Sequence, residues 1–311
     1  MNSHRFQSAA MIATLATMLA TGATRAVVID SGTGNTTAPG DDFGFDNIGR
    51  VVSGSGIYLG NRWVLTAHHV NGALPATATF GGIVYATEGG TYQRLTNNGE
   101  GGMSAFTDMG VFRLASDPGL ASVTIPVSAP AVSDLLSMAG RGRDRQVSQT
   151  HWDVDTGTDP DSWTEVPPTG DRSGYKTDSS KTIRWGENLV ASTNLNVGSA
   201  FGDVRSFTTT FTDGGLSHEA QAVSGDSGGG VFRKNGGSWE LVGMMYSVAL
   251  FDGQPDGAET AVYGNLTFSA DLSFYRSQIA SITGVPEPTT AMLGFASLAL
   301  LVRRRRCSIQ K

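Results

Sequence analysis

Val223-Ser224-Gly225-Asp226-Ser227-Gly228-Gly229-Gly230 sets a serine between glycines, in the pattern Gly-x-Ser-x-Gly. Glycine on both sides permits a tight, partly left-handed turn that residues carrying a Cβ resist. Such a turn pushes one hydroxyl outward and leaves neighbouring backbone N–H groups facing the same space. A nucleophile beside an oxyanion hole needs that layout, because charge developing on a carbonyl oxygen must meet preorganised donors. A serine hydroxyl is also a poor nucleophile until a base takes its proton. The chain must therefore supply a base and a group to orient it.

The histidines are His4, His68, His69, His151 and His218, so none follows Ser227. An α/β-hydrolase needs its histidine after the serine, and that reading is excluded. The order left is His, then Asp, then Ser. Upstream, Arg62-Trp63-Val64-Leu65-Thr66-Ala67-His68-His69-Val70 is an apolar strand running into paired histidines. Between the two motifs, Thr107-Asp108-Met109-Gly110-Val111-Phe112-Arg113-Leu114 puts an acid just before a short alternating strand. Strand alternation sends His68 and His69 to opposite faces, so only one can serve the serine.

On these three motifs the chain resembles the trypsin/chymotrypsin-like serine proteases, which read Thr-Ala-Ala-His-Cys, Asp-x-x-Leu-x-x-Leu and Gly-Asp-Ser-Gly-Gly. The resemblance implies an all-β fold: two antiparallel Greek-key β-barrels with a C-terminal helix. It makes His69 the general base, Asp108 its orienting carboxylate and Ser227 the nucleophile, with the N–H groups of Gly225 and Ser227 as the oxyanion hole. His68 stands where the family has alanine and Val70 where it has cysteine. Six residues before the serine, the pocket-floor position falls on Gln221, a neutral amide that gives no reason to expect a preference for basic side chains. Tyr246, Ser247 and Val248 are expected in the pocket wall. Asp226 is the family's inward-turned structural carboxylate, and a buried charge needs a partner. Related enzymes pair it with an amino terminus made by proteolysis. No Arg-Ile-Val-Gly-Gly site occurs here, so Val27, freed by cleavage after Ala26, or an internal basic group is the expected partner.

Both ends of the chain read as addresses. Arg5, the apolar run 9–20 and Thr24-Arg25-Ala26 form an export signal over residues 1–26. Near the other end, Val285-Pro286-Glu287-Pro288, the apolar run 291–302 and Arg303 to Arg306 resemble the PEP-CTERM sorting signal of exported Gram-negative bacterial proteins. The run is short for a permanent span, which needs about 20 residues. That resemblance implies transient membrane contact through 291–302, handling by export and sorting machinery, and a final location in the envelope, the extracellular matrix or the medium. Residues 27–285 hold 15 Lys and Arg against 27 Asp and Glu, a net of −12. Such a surface argues against nucleic acid and anionic lipid as partners. The single cysteine, Cys307, lies in the tail, so the working domain must be held by its cores without a disulfide.

With 41 glycines and 16% charged residues in a chain of 311, short strands joined by many turns are expected. Strands are predicted at 51–60 and 62–67, a hairpin turning at Gly60-Asn61 that delivers His69, and then at 77–86, 92–95, 111–114 and 122–127. These make an N-terminal barrel over 27–128, with Ala129-Pro130-Ala131 as the crossing to a C-terminal barrel over 129–284. Within the latter, 151–181 is rich in aspartate, proline and glycine; its carboxylates could hold calcium, but their spacing fits no standard loop and a solvated surface excursion is the favoured reading. Further strands are predicted at 135–140, 182–185, 189–191, 207–211, 230–232, 239–248 and 260–268. Leu272, Tyr275, Ile279 and Ile282 recur at helical spacing before Gly284. The expected protein is a secreted serine endopeptidase working through an acyl-enzyme, on protein or peptide, with neither metal nor cofactor. Two alternatives stand beside it: an inactive envelope or matrix-binding module of the same fold, and an esterase using the same triad.

Overall fold

The computed structural model describes residues 27–285; the predicted export signal over 1–26 and residues 286–311 of the predicted sorting tail lie outside the described residues. The chain enters through β1 (Val28–Ile29) and a glycine-rich lead, then builds a first sheet. Its strands are β2 (Ile48–Val51), β3 (Gly54–Gly60), β4 (Trp63–Ala67), β5 (Thr77–Phe80), β6 (Ile83–Ala86), β7 (Gln93–Thr96) and β8 (Phe106–Arg113). Their spatial order is β6-β5-β2-β3-β4-β8-β7. A bridge between Thr87 and Leu114 brings the end of β6 back to the end of β8, so the sheet curls on itself. Asn61 and Arg62, both at positive φ, make the β3–β4 turn, a left-handed geometry that suits the twist of a two-residue hairpin.

The second half begins with β9 (Leu135–Gly140), β10 (Arg143–Arg145), β11 (Thr150–Asp155), β12 (Ser162–Glu165) and β13 (Arg172–Lys181). It continues with β14 (Arg184–Val197), β15 (Val204–Thr210), β16 (Ala220–Gln221), β17 (Gly230–Asn235), β18 (Ser238–Ala249), β19 (Thr260–Val262) and β20 (Leu266–Asp271). Six of these close a barrel in the order β14-β15-β20-β18-β17-β9. The helix α1 (Leu272–Thr283) follows, capped by the Asp271 side chain at its start and by Gly284 in the left-handed conformation at its end. The all-β class with one C-terminal helix is as the sequence predicts.

Several expectations need correction: the single strands predicted at 51–60, 77–86 and 260–268 are each broken by a turn, into β2 and β3, β5 and β6, and β19 and β20. Residues 151–181 are not an irregular excursion: β10, β11, β12, β13 and β19 form a second sheet. Trp152, fully buried, anchors it, while the aspartates that suggested a solvated loop occupy its outer face and turns. The strands predicted at 182–185 and 189–191 are one 14-residue strand, β14. Residues 122–127 are extended without joining a sheet, although Val123 donates to Leu59 and Thr124 accepts from Leu241.

The largest core lies between the two halves. Ile48, Ile57, Leu65 and Met109 of the first sheet pack in one cluster with Phe232, Met244, Leu272 and Tyr275 of the second half. Apolar burial at roughly 25 cal/mol per Å² is the dominant favourable term in such a seam. It clamps the halves together without a disulfide. The Tyr275 hydroxyl adds a polar tie: it donates to Asn97 at 2.7 Å and accepts from the Arg205 N–H at 2.9 Å.

Candidate active site

The His69 and Asp108 pair comes from the first sheet. β4 ends at Ala67, and a single 3-10 turn, His68–Val70, carries both histidines. β8 pairs with β4 through Ala67 and Met109, which sets Asp108 beside that turn. Asp108 is 1% exposed. One of its oxygens accepts from the His69 backbone N–H at 2.9 Å, and the other lies 2.6 Å from His69 Nδ1. An acceptor-only carboxylate at Nδ1 fixes the proton there and leaves the Nε2 lone pair free. His68 goes elsewhere: its Nδ1 lies 2.6 Å from the Tyr92 hydroxyl. Burial holds His68 below the usual imidazole range, with Arg94 adding to the effect. The paired histidines are therefore separated in role by their partners.

Ser227 belongs to the loop between β16 and β17. Its carbonyl accepts from the Ser55 N–H at 2.9 Å, while the Ser55 hydroxyl donates to the Gly225 carbonyl at 3.0 Å. Gly228 donates to Met245 at 2.8 Å. The serine loop is thus bolted to β3 of the first sheet on one side and to β18 of the barrel on the other. Gly54 records how close the two halves come. A Cβ there would lie 2.8 Å from Val70 of the histidine turn and 2.9 Å from the Ser227 carbonyl. Gly228, at φ +89, admits no side chain, because a Cβ would meet the Ser55 carbonyl at 2.1 Å. Gly225 stands at φ +101. Among the described residues, neither the Gly225 nor the Ser227 N–H donates to a protein acceptor. Two free donors on one turn are the kind of arrangement that receives an oxyanion.

Asp226 faces the opposite way and is fully buried. Its oxygens accept from the N–H of Gly142 at 2.6 Å and of Val223 at 2.9 Å. The Val27 backbone N–H is a third donor, delivered by the pairing of β1 with β16. Burial nevertheless pushes the Asp226 carboxyl up to about 7.

Next to Ser227 opens a cavity of about 310 Å³, walled by Ala222, Val223, Met245, Tyr246, Ser247 and Val248, with Leu250 and Ala258 at its rim. No charged side chain lines it. Tyr246 and Ser247 are on its wall, but Gln221 is not. Gln221 sits behind Ala222 in β16, buried, with its amide reaching Asn265 at 3.3 Å. Counting back from the serine fixed the loop and missed the strand: Gln221 pairs with Val28, which turns it away. The sequence reading also missed Phe201, whose ring centroid lies 5.5 Å from that of His69. Gly202 beside it, at φ +101, leaves no room for a Cβ against the Phe106 backbone. An aromatic in the tight 198–202 turn, 45% exposed, was the available signal. His151 and His218 are remote from this centre: His151 is in the outer sheet, and the His218 ring packs on Trp185 at 5.1 Å. Among the described residues, no group of three His, Cys, Asp or Glu side chains is disposed to hold a metal.

No family model and no curated protein matches the chain. Solved structures do. One is the inactive form of the Rv3671c protease, at 13% identity and a TM-score of 0.43, over 77% of this chain and 90% of that one. Another is neuropsin, a serine protease expressed in the limbic system of mouse brain. It matches at 16% identity and a TM-score of 0.47, over 80% of this chain and 97% of that one.

Proposed function

We propose that this chain is a serine endopeptidase that cleaves peptide bonds through His69, Asp108 and Ser227. The observation that carries the reading is the 2.6 Å pairing of His69 Nδ1 with a buried carboxylate, on a turn that shares Gly54 with the Ser227 backbone. In this mechanism His69 Nε2 takes the Ser227 proton as the hydroxyl oxygen bonds to the scissile carbonyl carbon. The Gly225 and Ser227 N–H groups receive the oxyanion. The imidazolium returns its proton to the leaving amine, and a water then repeats the attack on the acyl-enzyme. Asp108 holds the tautomer and stabilises the imidazolium. The uncharged cavity beside the serine suits an apolar or small neutral side chain, in place of Arg or Lys.

Export completes the proposal. Removal of residues 1–26 turns the Val27 N–H, already bonded to Asp226, into an ammonium that neutralises a fully buried carboxylate. Residues 285–311 then act as the sorting tail, and the enzyme works in the envelope or beyond it. Casein and nitrophenyl esters assayed side by side, with Ser227→Ala as the blank, test the reaction class. Casein hydrolysis lost in the variant supports the peptidase. Ester hydrolysis alone favours the esterase, and casein hydrolysis that survives the substitution overturns the proposal.

A further inference from the structure

On a domain of net −12, Lys181 brings a cation against the serine loop, and Arg50 and Arg141 belong to the segments that border it. Lys181 Nζ lies 2.7 Å from the position that a Cβ on Gly225 would occupy, and the Arg141 carbonyl lies 3.0 Å from it. Lys181 donates to the Ser53 carbonyl at 2.8 Å, and Arg50 donates to the Val52 carbonyl at 3.0 Å. Both therefore hold the same hairpin tip between β2 and β3, where Val52 is forced to φ +50 and stands 41% exposed. A β-branched residue in the left-handed region is strained, and such strain persists only where its surroundings impose it. Arg141 begins the segment after β9 and sends its N–H to the Ser55 hydroxyl at 2.8 Å.

These charges repel one another. Burial holds Lys181 below the usual amine range, with Arg141 next among the causes, and Arg141 is held down by burial and then by Arg50. The carboxylates whose charge reaches these cations form no ion pair with them. Glu259 pairs with Arg143 at 2.5 Å. Asp226 is sealed among backbone donors, and Asp144 is 1% exposed. Among the described residues, Arg50, Arg141 and Lys181 enter no ion pair. Asp226, Glu259 and Asp144 offset these half-buried charges from a distance without pairing them, and a ligand carboxylate would meet them directly.

Resting on the peptidase reading, we propose that Lys181, on the hairpin tip that Arg50 also holds, forms a subsite beside Gly225, outside the apolar cavity, that selects a carboxylate in the peptide substrate. An Asp or Glu side chain a short distance along the peptide from the cavity-filling residue meets the Lys181 ammonium as the scissile carbonyl meets the Gly225 N–H. The substrate class is thus a polypeptide with an uncharged residue at the cleavage point and an acidic one nearby.

The test is a set of peptides sharing one cleavage site, with Glu, Gln or Lys placed in turn at each flanking position, compared by kcat/KM. At one position Glu is expected to exceed isosteric Gln by about tenfold, the value of one well-placed charged hydrogen bond. That ratio is expected to fall to about twofold or less in Lys181→Gln and to persist in Lys181→Arg, which keeps the charge. It also shrinks as salt screens the site. Labelling of Ser227 by a phosphonate, run in parallel, separates two failures. A labelled, hydrolysing enzyme with no Glu preference at any position, or with a preference untouched by Lys181→Gln, overturns the subsite alone. An enzyme that neither labels nor hydrolyses overturns the peptidase reading and the subsite with it.

Discussion

The histidine turn and the serine loop are held in place by different kinds of bond. The turn at His68–Val70 is fixed by side chains: Asp108 grips His69 at two points, and Tyr92 draws His68 aside. The loop 221–230 is fixed mainly through its backbone: glycines at φ +101 and +89 and main-chain bonds to Ser55 and Met245, with the Ser55 hydroxyl and the buried Asp226 carboxylate also bonding main-chain groups. Side-chain devices can be edited singly with the frame intact. Backbone devices fail as a unit, because moving one residue moves the Ser227 hydroxyl and the proposed oxyanion donors together.

The largest effect should come from deleting the chemistry itself. Ser227→Ala and His69→Ala are each expected to lower kcat by about 10⁶, and the double variant by hardly more, since the groups act as one unit. Additive losses would break the picture of a shared mechanism. Asp108→Asn is expected to cost about 10⁴ in kcat at neutral pH with the fold retained, because the geometry survives and the tautomer does not. Circular dichroism alongside the assay checks that the loss is chemical.

The serine loop should respond otherwise. Gly228→Ala forces a Cβ onto the Ser55 carbonyl. A displacement of about 1 Å at a reacting centre costs on the order of 100-fold, so activity should fall by that much together with the melting temperature. A change in activity without a change in stability would contradict a loop that fails as a whole.

The carboxylate under the loop gives a prediction in pH. With residues preceding Val27, the Asp226 carboxyl is raised to about 7, so its protonated form is favoured in the fold. The folded state then binds more protons than the unfolded chain between pH 4 and 7, and this contribution to stability is lost as pH rises through that window. Once Val27 is the amino terminus, the ammonium favours the carboxylate, and the sign reverses for Asp226. Melting curves from pH 5 to 8 on the two forms should differ in slope; identical slopes would remove Val27 as the partner. The smallest effect is expected at the ring over His69: Phe201→Ala should lower kcat/KM by a few-fold, the value of one aromatic contact of about 1 kcal/mol.

How much the sequence revealed follows the same division. Short, local, chemically marked features were legible: the strand leading into His69, the acid of β8, the glycines of 225–230 and the helix ended by Gly284. Each is set by neighbours within a few residues. Features set by distant chain were not. Gln221 was misplaced because its strand partner, Val28, lies nearly 200 residues away. The sheet at 150–181 was hidden because its buried side chains are few and its aspartates dominate the composition. Phe201 reaches His69 only through the approach of two halves that no local pattern reports. Val27 was one of two partners expected for Asp226, beside an internal basic group, and β1 brings the Val27 backbone N–H to that carboxylate.

The account stands on Ser227 being activated by the His69–Asp108 pair. Intact-mass analysis after exposure to a serine-directed phosphonate, with peptide mapping, reads this directly. One adduct per chain on Ser227, abolished in His69→Ala, is the predicted result. No adduct on the wild-type protein, or one that forms equally fast without His69, would contradict it.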